Sequence, residues 1–193
     1  MLIPLNITTK KRAVAVLTPK EVVMLRQKLS GPYQIRTDYL LATAMRISEA
    51  KYVMNHLECF RAENGAIFLP EVEGMGKVRS TITNRQVMLS KKGLDAVKLF
   101  LELKPGIPAY QNFEQVLKRA ARDAEIDQRF ITTKMYRKTM ISWLMCAFPE
   151  RQEQIAFSAG HDYNTMRQHY MTFGFKKEDI KDMRDEVAGW GEV

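Results

Sequence analysis

Cysteine is nearly absent from the 193-residue sequence, which contains Cys59 and Cys146 and no other. The two lie far apart and neither belongs to a CxxC-type cluster, so a zinc site built on cysteine ligands is excluded. Long apolar runs are also missing. No stretch approaches the roughly 18 uninterrupted apolar residues of a membrane-spanning helix, and the first residues lack the small-residue cleavage pattern of a signal peptide. We therefore expect a cytoplasmic protein with reduced, buried thiols and no membrane partner.

Acidic residues are outnumbered by basic ones. The sequence has 30 Lys and Arg against 22 Asp and Glu, a formal net charge of +8. This surplus favours a polyanionic partner, with nucleic acid as the first candidate, although many basic proteins never bind nucleic acid. Hydrophobic residues make up 46% of the chain and charged residues 27%, which is typical of one ordinary globular domain. Charge alone leaves the function open, so the motifs must decide it.

The pattern along the chain predicts a mainly α fold with a small antiparallel β-sheet (α+β). A capping box at Thr18–Glu21 begins a first helix, which Gly31-Pro32 should end, and a second helical region covers roughly residues 34–57. The β-prone segments Ala66–Pro70 and Ser80–Leu89 flank a glycine-rich turn and predict the sheet. Further helices are predicted over residues 93–103, 112–124, 134–147, 151–159, 165–171 and 176–187.

The most informative segment runs from Thr132 to Met145. On a helical wheel, Lys134 and Arg137 share one narrow arc with apolar residues. A Lys or Arg on a helix usually lies on a solvated face, but a charge on the apolar arc needs a partner or a ligand anion. We therefore predict that both cations serve an anion-binding site.

Two other segments carry little information when each is taken alone. His161 follows a glycine and precedes Tyr170 by nine residues, but such a His is usually a loop residue and such a Tyr is usually half-buried packing. Arg46 lies in apolar sequence three residues before Glu49. The simplest interpretation of that spacing is a helix ion pair contributing roughly a few tenths of a kcal/mol.

Taken together, in the order Arg46, Lys134-x-x-Arg137, His161, Tyr170, these residues resemble the active-site signature of the tyrosine recombinases (phage-type integrases). Residues 43–49 repeat the family's Thr-Gly-x-Arg-x-Ser-Glu, with Ala in place of Gly. Lys134-x-x-Arg137 stands where the family usually has His-x-x-Arg, a variant that resembles integrases of archaeal viruses and plasmids. The Ala-Gly-His ending at His161 matches the family's Leu-Gly-His, and Tyr170 follows at the family's distance.

The resemblance implies the tyrosine recombinase catalytic-domain fold and a DNA strand transferase that needs no metal, ATP or other cofactor. Tyr170 would attack a DNA phosphodiester and form a 3′-phosphotyrosyl intermediate. Arg46 and Arg137 would bind the phosphate through paired hydrogen bonds, with His161 and Lys134 as further donors. Double-stranded DNA would be the partner, with a homo-oligomer, a tetramer, assembled on it, which implies a nucleoid-associated location.

The family also carries a catalytic lysine on a β-hairpin between the first two motifs. Lys77 is our assignment for it, as the general acid that protonates the departing 5′ hydroxyl, and Arg79 is its rival. Lys134 in place of His leaves its own role open, as a donor or as a base.

We expect three regions along the chain. Residues 1–16 would form a basic arm or linker, residues 17–174 the catalytic domain, and residues 175–193 a helical tail. The tail would pack on its own core or dock in trans on a neighbouring protomer, and the sequence favours neither. Most family members carry a further N-terminal helical domain that sixteen residues cannot form, so we expect either an excised catalytic fragment or a naturally minimal enzyme.

Two alternative functions remain open at this point. A type IB topoisomerase-like nicking and closing enzyme would use the same residues without exchanging DNA partners. A catalytically inactive DNA-binding module would keep the basic groove and lose the chemistry.

Overall fold

The structure, a computed structural model, describes residues 6–8, 13–71, 84–161, 164, 166 and 174–192. Its helices are α1 (Pro19–Gln27), α2 (Gly31–Thr43), α3 (Ile47–Asn55), α4 (Lys91–Leu103), α5 (Tyr110–Asp123), α6 (Lys134–Ala147), α7 (Gln152–Ala159) and α8 (Lys177–Glu186). Its strands are β1 (Asn6–Thr8), β2 (Val14–Val16), β3 (Phe60–Arg61), β4 (Ala66–Leu69) and β5 (Arg85–Met88). The predicted mainly α architecture with a small antiparallel sheet is confirmed.

Helix α6 is the centre of the core and contacts α2, α7, α8 and β2. Ten of its residues are buried, so it is apolar around most of its circumference, as a helix surrounded by other elements must be. Trp143 is almost fully buried, and its indole Nε1 donates to the carbonyl of Leu17 at 2.8 Å. The backbone nitrogen of Leu17 in turn donates to the Thr139 hydroxyl at 3.1 Å. These two bonds attach the chain that follows β2 to the central helix.

The sheet has the order β3-β4-β5, and all its pairs are antiparallel. Its register pairs Ile67 with Val87 and Leu69 with Arg85. One face of β5 is buried through Arg85 and Val87, while Gln86 and Met88 are half-exposed. The register therefore puts a charged residue on the apolar face of the sheet, at the end of β5 that follows residues 72–83.

The first helices differ from the prediction at their boundaries. The Thr18–Glu21 capping box is present, but α1 ends at Gln27, before Gly31-Pro32. That dipeptide begins α2 instead. Proline has no backbone N–H to donate, but the N–H groups of the first helical turn have no partner within the helix, so proline is tolerated there. The predicted helical region over residues 34–57 is interrupted after Thr43, where Ala44 adopts a left-handed conformation with φ 48° and ψ 20°.

Strand β2 and the C-terminal helix α8 both pack on the central helix. Val14, Ala15 and Val16 are buried in the core, as Leu17 is. Burial is therefore the same on both sides of the boundary that we predicted between the arm (residues 1–16) and the catalytic domain. At the other end, α8 contacts α6 and α1. Trp190 is buried and donates from its indole nitrogen to the Met88 carbonyl at 3.0 Å. In this structure the tail therefore lies on its own core, and the three predicted regions remain a prediction.

None of the helices in the described part of the chain combines the length and apolar composition that crossing a bilayer requires.

Candidate active site

The first predicted motif lies at a break between two helices. Left-handed backbone is unfavourable for residues with a Cβ, and it occurs here at Ala44, where the resembled motif has glycine. The turn at Ala44 ends α2 and allows Arg46 to occupy the N-cap position of α3. Arg46 therefore stands at the positive end of a helix dipole, where an anion is favoured.

Glu49 connects Arg46 to a second arginine. Its Oε1 accepts from the Arg46 Nη1 at 2.7 Å, and its Oε2 accepts from the Arg46 backbone nitrogen at 2.7 Å. The same carboxylate accepts a bidentate pair from Arg85, at 2.9 Å from Nη1 and 2.7 Å from Nη2. The side chains of Arg85 and Glu49 are each 6% exposed, so this pair is nearly dry. The contact between Arg46 and Glu49 is therefore part of a network, and our interpretation of it as an isolated helix ion pair was incomplete.

Arg137 belongs to the same electrostatic cluster. Burial alone would raise the pKa of the Glu49 carboxyl, but attraction to Arg85, hydrogen bonds from Arg85, attraction to Arg137 and the Arg46 backbone bond together lower that pKa below its ordinary value. Attraction of this kind acts over short distances inside a protein. Arg46 and Arg85 contact the Glu49 carboxylate directly and Arg137 is close enough to attract it, so three positive charges face one negative charge.

The Arg137 guanidinium joins two helix ends. Its Nη1 donates to the Ala44 carbonyl at 2.7 Å, and its Nη2 donates to the Ala159 carbonyl. Ala44 is the C-cap of α2 and Ala159 is the last residue of α7, so Arg137 lies at the negative ends of two helix dipoles. These bonds bring the segment before Arg46 and the segment before His161 to one side chain of α6.

His161 leaves the end of α7 in a Schellman motif. Gly160 has φ 64°, its nitrogen donates to the Phe157 carbonyl at 2.9 Å, and the His161 nitrogen donates to the Ala156 carbonyl at 3.0 Å. The motif fixes the direction in which the chain turns after the helix. His161 itself is half-buried.

Gly160 also packs directly on Arg85. A Cβ added to Gly160 would lie 3.0 Å from the Arg85 Cδ and 3.1 Å from its Cζ, and closer still to Nη1. Only glycine allows this approach in this backbone conformation. The Gly before His161 is thus required by both its left-handed φ and its contact with a buried guanidinium.

In the sequence, Arg85 falls within the β-prone segment Ser80–Leu89, and its place in the cluster was not predicted. The feature that could have indicated it is the strand alternation, which puts the Arg85 charge on the same face of β5 as the apolar Val87, two residues later.

The prediction for Lys134 was wrong in one respect. It begins α6 as predicted, with its backbone nitrogen donating to the Thr132 hydroxyl at 3.2 Å, but its side chain is exposed and does not lie near the core. The first turn of a helix has fewer neighbours than its middle, so the helical wheel overestimated its burial. Lys138, one turn later, is half-buried, and burial together with the nearby Lys134 charge lowers its pKa.

Lys77, its rival Arg79 and Tyr170 lie outside the described residues, as do most of the helix predicted over 165–171 and the start of the strand predicted from Ser80. Two other tyrosines are unsuited to nucleophilic attack. Tyr39 and Tyr136 are buried, and burial raises the pKa of both phenols. Tyr136 also shares a 2.8 Å hydrogen bond with the Thr37 hydroxyl.

Across the described ranges, His, Cys, Asp and Glu do not form any group of three that could hold a metal ion. The arrangement is cationic, and its chemistry is that of an anion site.

Solved structures of two recombinases share this arrangement of elements. The crystal structure of XerA recombinase aligns with 92% of this chain and 64% of its own, at 16% identity and a TM-score of 0.59. The Tn1549 transposon integrase in complex with a circular intermediate DNA aligns with 90% of this chain and 67% of its own, at 14% identity and a TM-score of 0.64. The chain has the tyrosine recombinase catalytic-domain fold.

A second structure of the Tn1549 integrase, in complex with transposon right end DNA, aligns at 15% identity and a TM-score of 0.64, over 93% of this chain and 67% of its own. This chain thus spans about two thirds of the length of the recombinase structures it matches. No protein-family model matches the sequence, and neither does any curated protein. At such low identity the likeness shows the fold alone.

Proposed function

We propose that the protein is a site-specific DNA recombinase that cleaves and rejoins DNA through a 3′-phosphotyrosyl intermediate on Tyr170, without metal or ATP. The observation that most supports this proposal is the position of the Arg137 guanidinium, which contacts both Ala44 and Ala159. It puts the neighbourhoods of Arg46 and His161, which are distant in sequence, around one cation.

The electrostatics suit a phosphodiester. Attack on phosphorus concentrates negative charge on the two nonbridging oxygens, and preorganised donors stabilise that charge with little rearrangement. Arginines offer planar paired donors that match phosphate oxygens, which a lysine cannot reproduce. In this protein Glu49 holds Arg46, and two helix C-termini hold Arg137, so neither side chain has to be ordered by the substrate.

The Tyr170 phenol passes its proton to a neighbouring base or to water and its oxygen forms a bond to phosphorus, while the bond from phosphorus to the 5′ oxygen of the next nucleotide breaks. Lys77, with Arg79 as the alternative, supplies a proton to that 5′ oxygen. Attack by a 5′ hydroxyl on the phosphotyrosine reverses the step, so the energy of the original bond is conserved and neither ATP nor an external electron donor takes part.

DNA would be bound mainly through its backbone charge. A formal net charge of +8 favours a polyanion, and each phosphate contact makes affinity fall with salt. We further propose assembly as a tetramer on double-stranded DNA, in a nucleoid-associated setting. We also propose a relationship to integrases of archaeal viruses and plasmids, which the lysine at position 134 in place of the usual histidine supports.

Trapping of the covalent intermediate tests the proposal. The protein is mixed with duplexes that carry a nick just downstream of candidate cleavage positions, so that the short downstream fragment with the new 5′ hydroxyl diffuses away and the adduct accumulates. We expect a protein–DNA adduct that survives denaturing electrophoresis and is absent from Tyr170→Phe. Tyr163→Phe is the matched control, since it removes a phenol hydroxyl from the same segment, and it should retain the adduct.

An adduct that persists unchanged in Tyr170→Phe would refute the nucleophile assignment. DNA binding without any adduct in the wild type would favour the inactive binding module. Relaxation of supercoiled plasmid without exchange between two recognition sites would favour the topoisomerase-like alternative.

A further inference from the structure

Arg85 is a buried cation that the proposed chemistry does not use directly. It lies on the apolar face of β5, with both terminal nitrogens on Glu49. Among the described residues its Nε has no hydrogen-bond partner. A buried ion pair often contributes little net stability, and an unsatisfied buried donor is unfavourable. The pair is therefore better explained by geometry than by stability.

Arg85 joins three segments of the candidate site. Through Glu49 it touches the first turn of α3, where the same carboxylate holds the side chain and the backbone nitrogen of Arg46. Its side chain lies directly against Gly160, which immediately precedes His161. Its own backbone lies at the end of β5 that follows residues 72–83, the segment containing Lys77.

The contact between β5 and α7 is fixed independently of Arg85. The Met88 backbone nitrogen donates to the Ser158 hydroxyl at 3.0 Å, so the two elements are in register two residues before Gly160. Arg85 fills the space between that docked helix end and α3. A smaller or differently shaped side chain would leave both Glu49 and Gly160 without their common support.

We propose that Arg85 is a positioning residue for strand transfer: the buried Arg85–Glu49 pair, packed under Gly160, aligns Arg46 and His161 on the same phosphate. This proposal rests on the proposed recombinase function. Arg85 acts through Arg46 and His161 and does not itself contact DNA. Misplacement of a reacting group by about 1 Å can lower a rate about 100-fold while leaving binding nearly unchanged, so such a role has a kinetic signature.

The test uses Arg85→Lys, which keeps the charge and removes the bidentate geometry. Arg61→Lys is the matched control, since it makes the same change at an exposed position of β3 in the same sheet. At saturating nicked duplex and at a temperature where both variants are folded, we expect Arg85→Lys to form the adduct about 10 to 100 times more slowly than wild type. Its Kd for DNA should stay within about threefold, and Arg61→Lys should match wild type in both.

A double-mutant cycle separates positioning from general damage to the structure. If Arg85 acts through His161, then Arg85→Lys should slow adduct formation much less in a His161→Ala background than in wild type. An equal effect in both backgrounds, or an unchanged rate in Arg85→Lys, would overturn the proposal. If Arg85→Lys does not fold, Glu49→Gln removes the other half of the pair with little change of shape and enters the same cycle.

One measurement does not depend on catalysis. The imidazole NMR resonances of His161, assigned with His161→Ala, should shift in Arg85→Lys and stay in place in Arg61→Lys. Unshifted resonances would overturn the positioning role even in an active enzyme. If the wild type forms no adduct but the resonances do shift, the proposed function fails while the structural coupling between Arg85 and His161 stands.

Discussion

Replacement of Gly160 by alanine tests the contact on which the site geometry depends. Two effects add in this variant. The first is backbone strain, since φ is 64° and a Cβ in left-handed backbone costs about 1 kcal/mol. The second is the approach to Arg85, whose Cδ and Cζ would lie 3.0 Å and 3.1 Å from the new Cβ. Arg85 cannot swing aside freely, because both terminal nitrogens are bound to a buried carboxylate.

Moving the Arg85 guanidinium would break at least one charge-assisted hydrogen bond, which contributes about 1.5 to 3 kcal/mol. The expected loss for Gly160→Ala is therefore about 2.5 to 4 kcal/mol of unfolding free energy. For a chain of this size, each kcal/mol lowers Tm by about 2 to 4 °C. Gly106→Ala is the matched control, because Gly106 has φ 70° and nothing lies within 4 Å of its added Cβ. That variant should lose only the backbone term of about 1 kcal/mol.

Urea denaturation followed by circular dichroism measures both variants. The informative quantity is the difference between them, since the backbone term cancels and the Arg85 contact remains. Equal destabilisation of the two variants, within about 0.5 kcal/mol, would refute the close packing of Gly160 on Arg85. It would also remove the structural basis for coupling between the first motif and His161.

Three further predictions concern the same cluster. Arg137→Ala should reduce adduct formation at least about 100-fold, because it removes a preorganised phosphate donor. The variant should retain the far-ultraviolet circular dichroism spectrum of wild type and much of the salt-dependent DNA affinity. Cleavage at the wild-type rate would exclude Arg137 from the site. Glu49→Gln should destabilise the protein by about 3 kcal/mol at pH 7, since it leaves a buried arginine without its counter-ion. The pKa of the Glu49 carboxyl is lower in the folded protein than its ordinary value. The ionised carboxylate therefore stabilises the fold fully at pH values above the ordinary carboxyl pKa, and this stabilisation is lost as the pH falls through the lower pKa of the folded state. The gap between Glu49→Gln and wild type in urea titrations should therefore begin to narrow once the pH falls below the ordinary carboxyl value of about 4.3 and should close at lower pH. Exposed Glu63→Gln, which breaks no buried pair, should stay within about 0.5 kcal/mol of wild type at pH 7. Ala44→Val should lower the free energy of unfolding by about 2 kcal/mol or more in thermal melts, because a β-branched residue is strained at φ 48°. Ala44→Gly should stay within about 1 kcal/mol of wild type, since relief of strain offsets the lost buried methyl. An Ala44→Val variant as stable as wild type would contradict the left-handed turn.

Local signals in the sequence predicted most of the fold. The bounds of α6 agree with the prediction, and the capping box of α1 is present, because apolar periodicity and capping residues act over only a few positions. The same local signals failed at Ala44. Alanine is a good helix former, so nothing in its neighbourhood predicted a left-handed residue there. The carbonyl freed by that turn is bound by Arg137, 93 residues further along the chain.

The sequence by itself determined the helical architecture, the net positive charge and the residue types needed for phosphate chemistry, because composition, periodicity and motif spacing are written in neighbouring residues. Only the tertiary structure decided which of these charges meet. It brought Arg85 onto Glu49 and under Gly160, and it left Lys134 on the surface. The physical reason is that burial and pairing of a charge depend on partners 36 or more residues away, whose approach is set by the packing of α3, α6, α7 and β5 together.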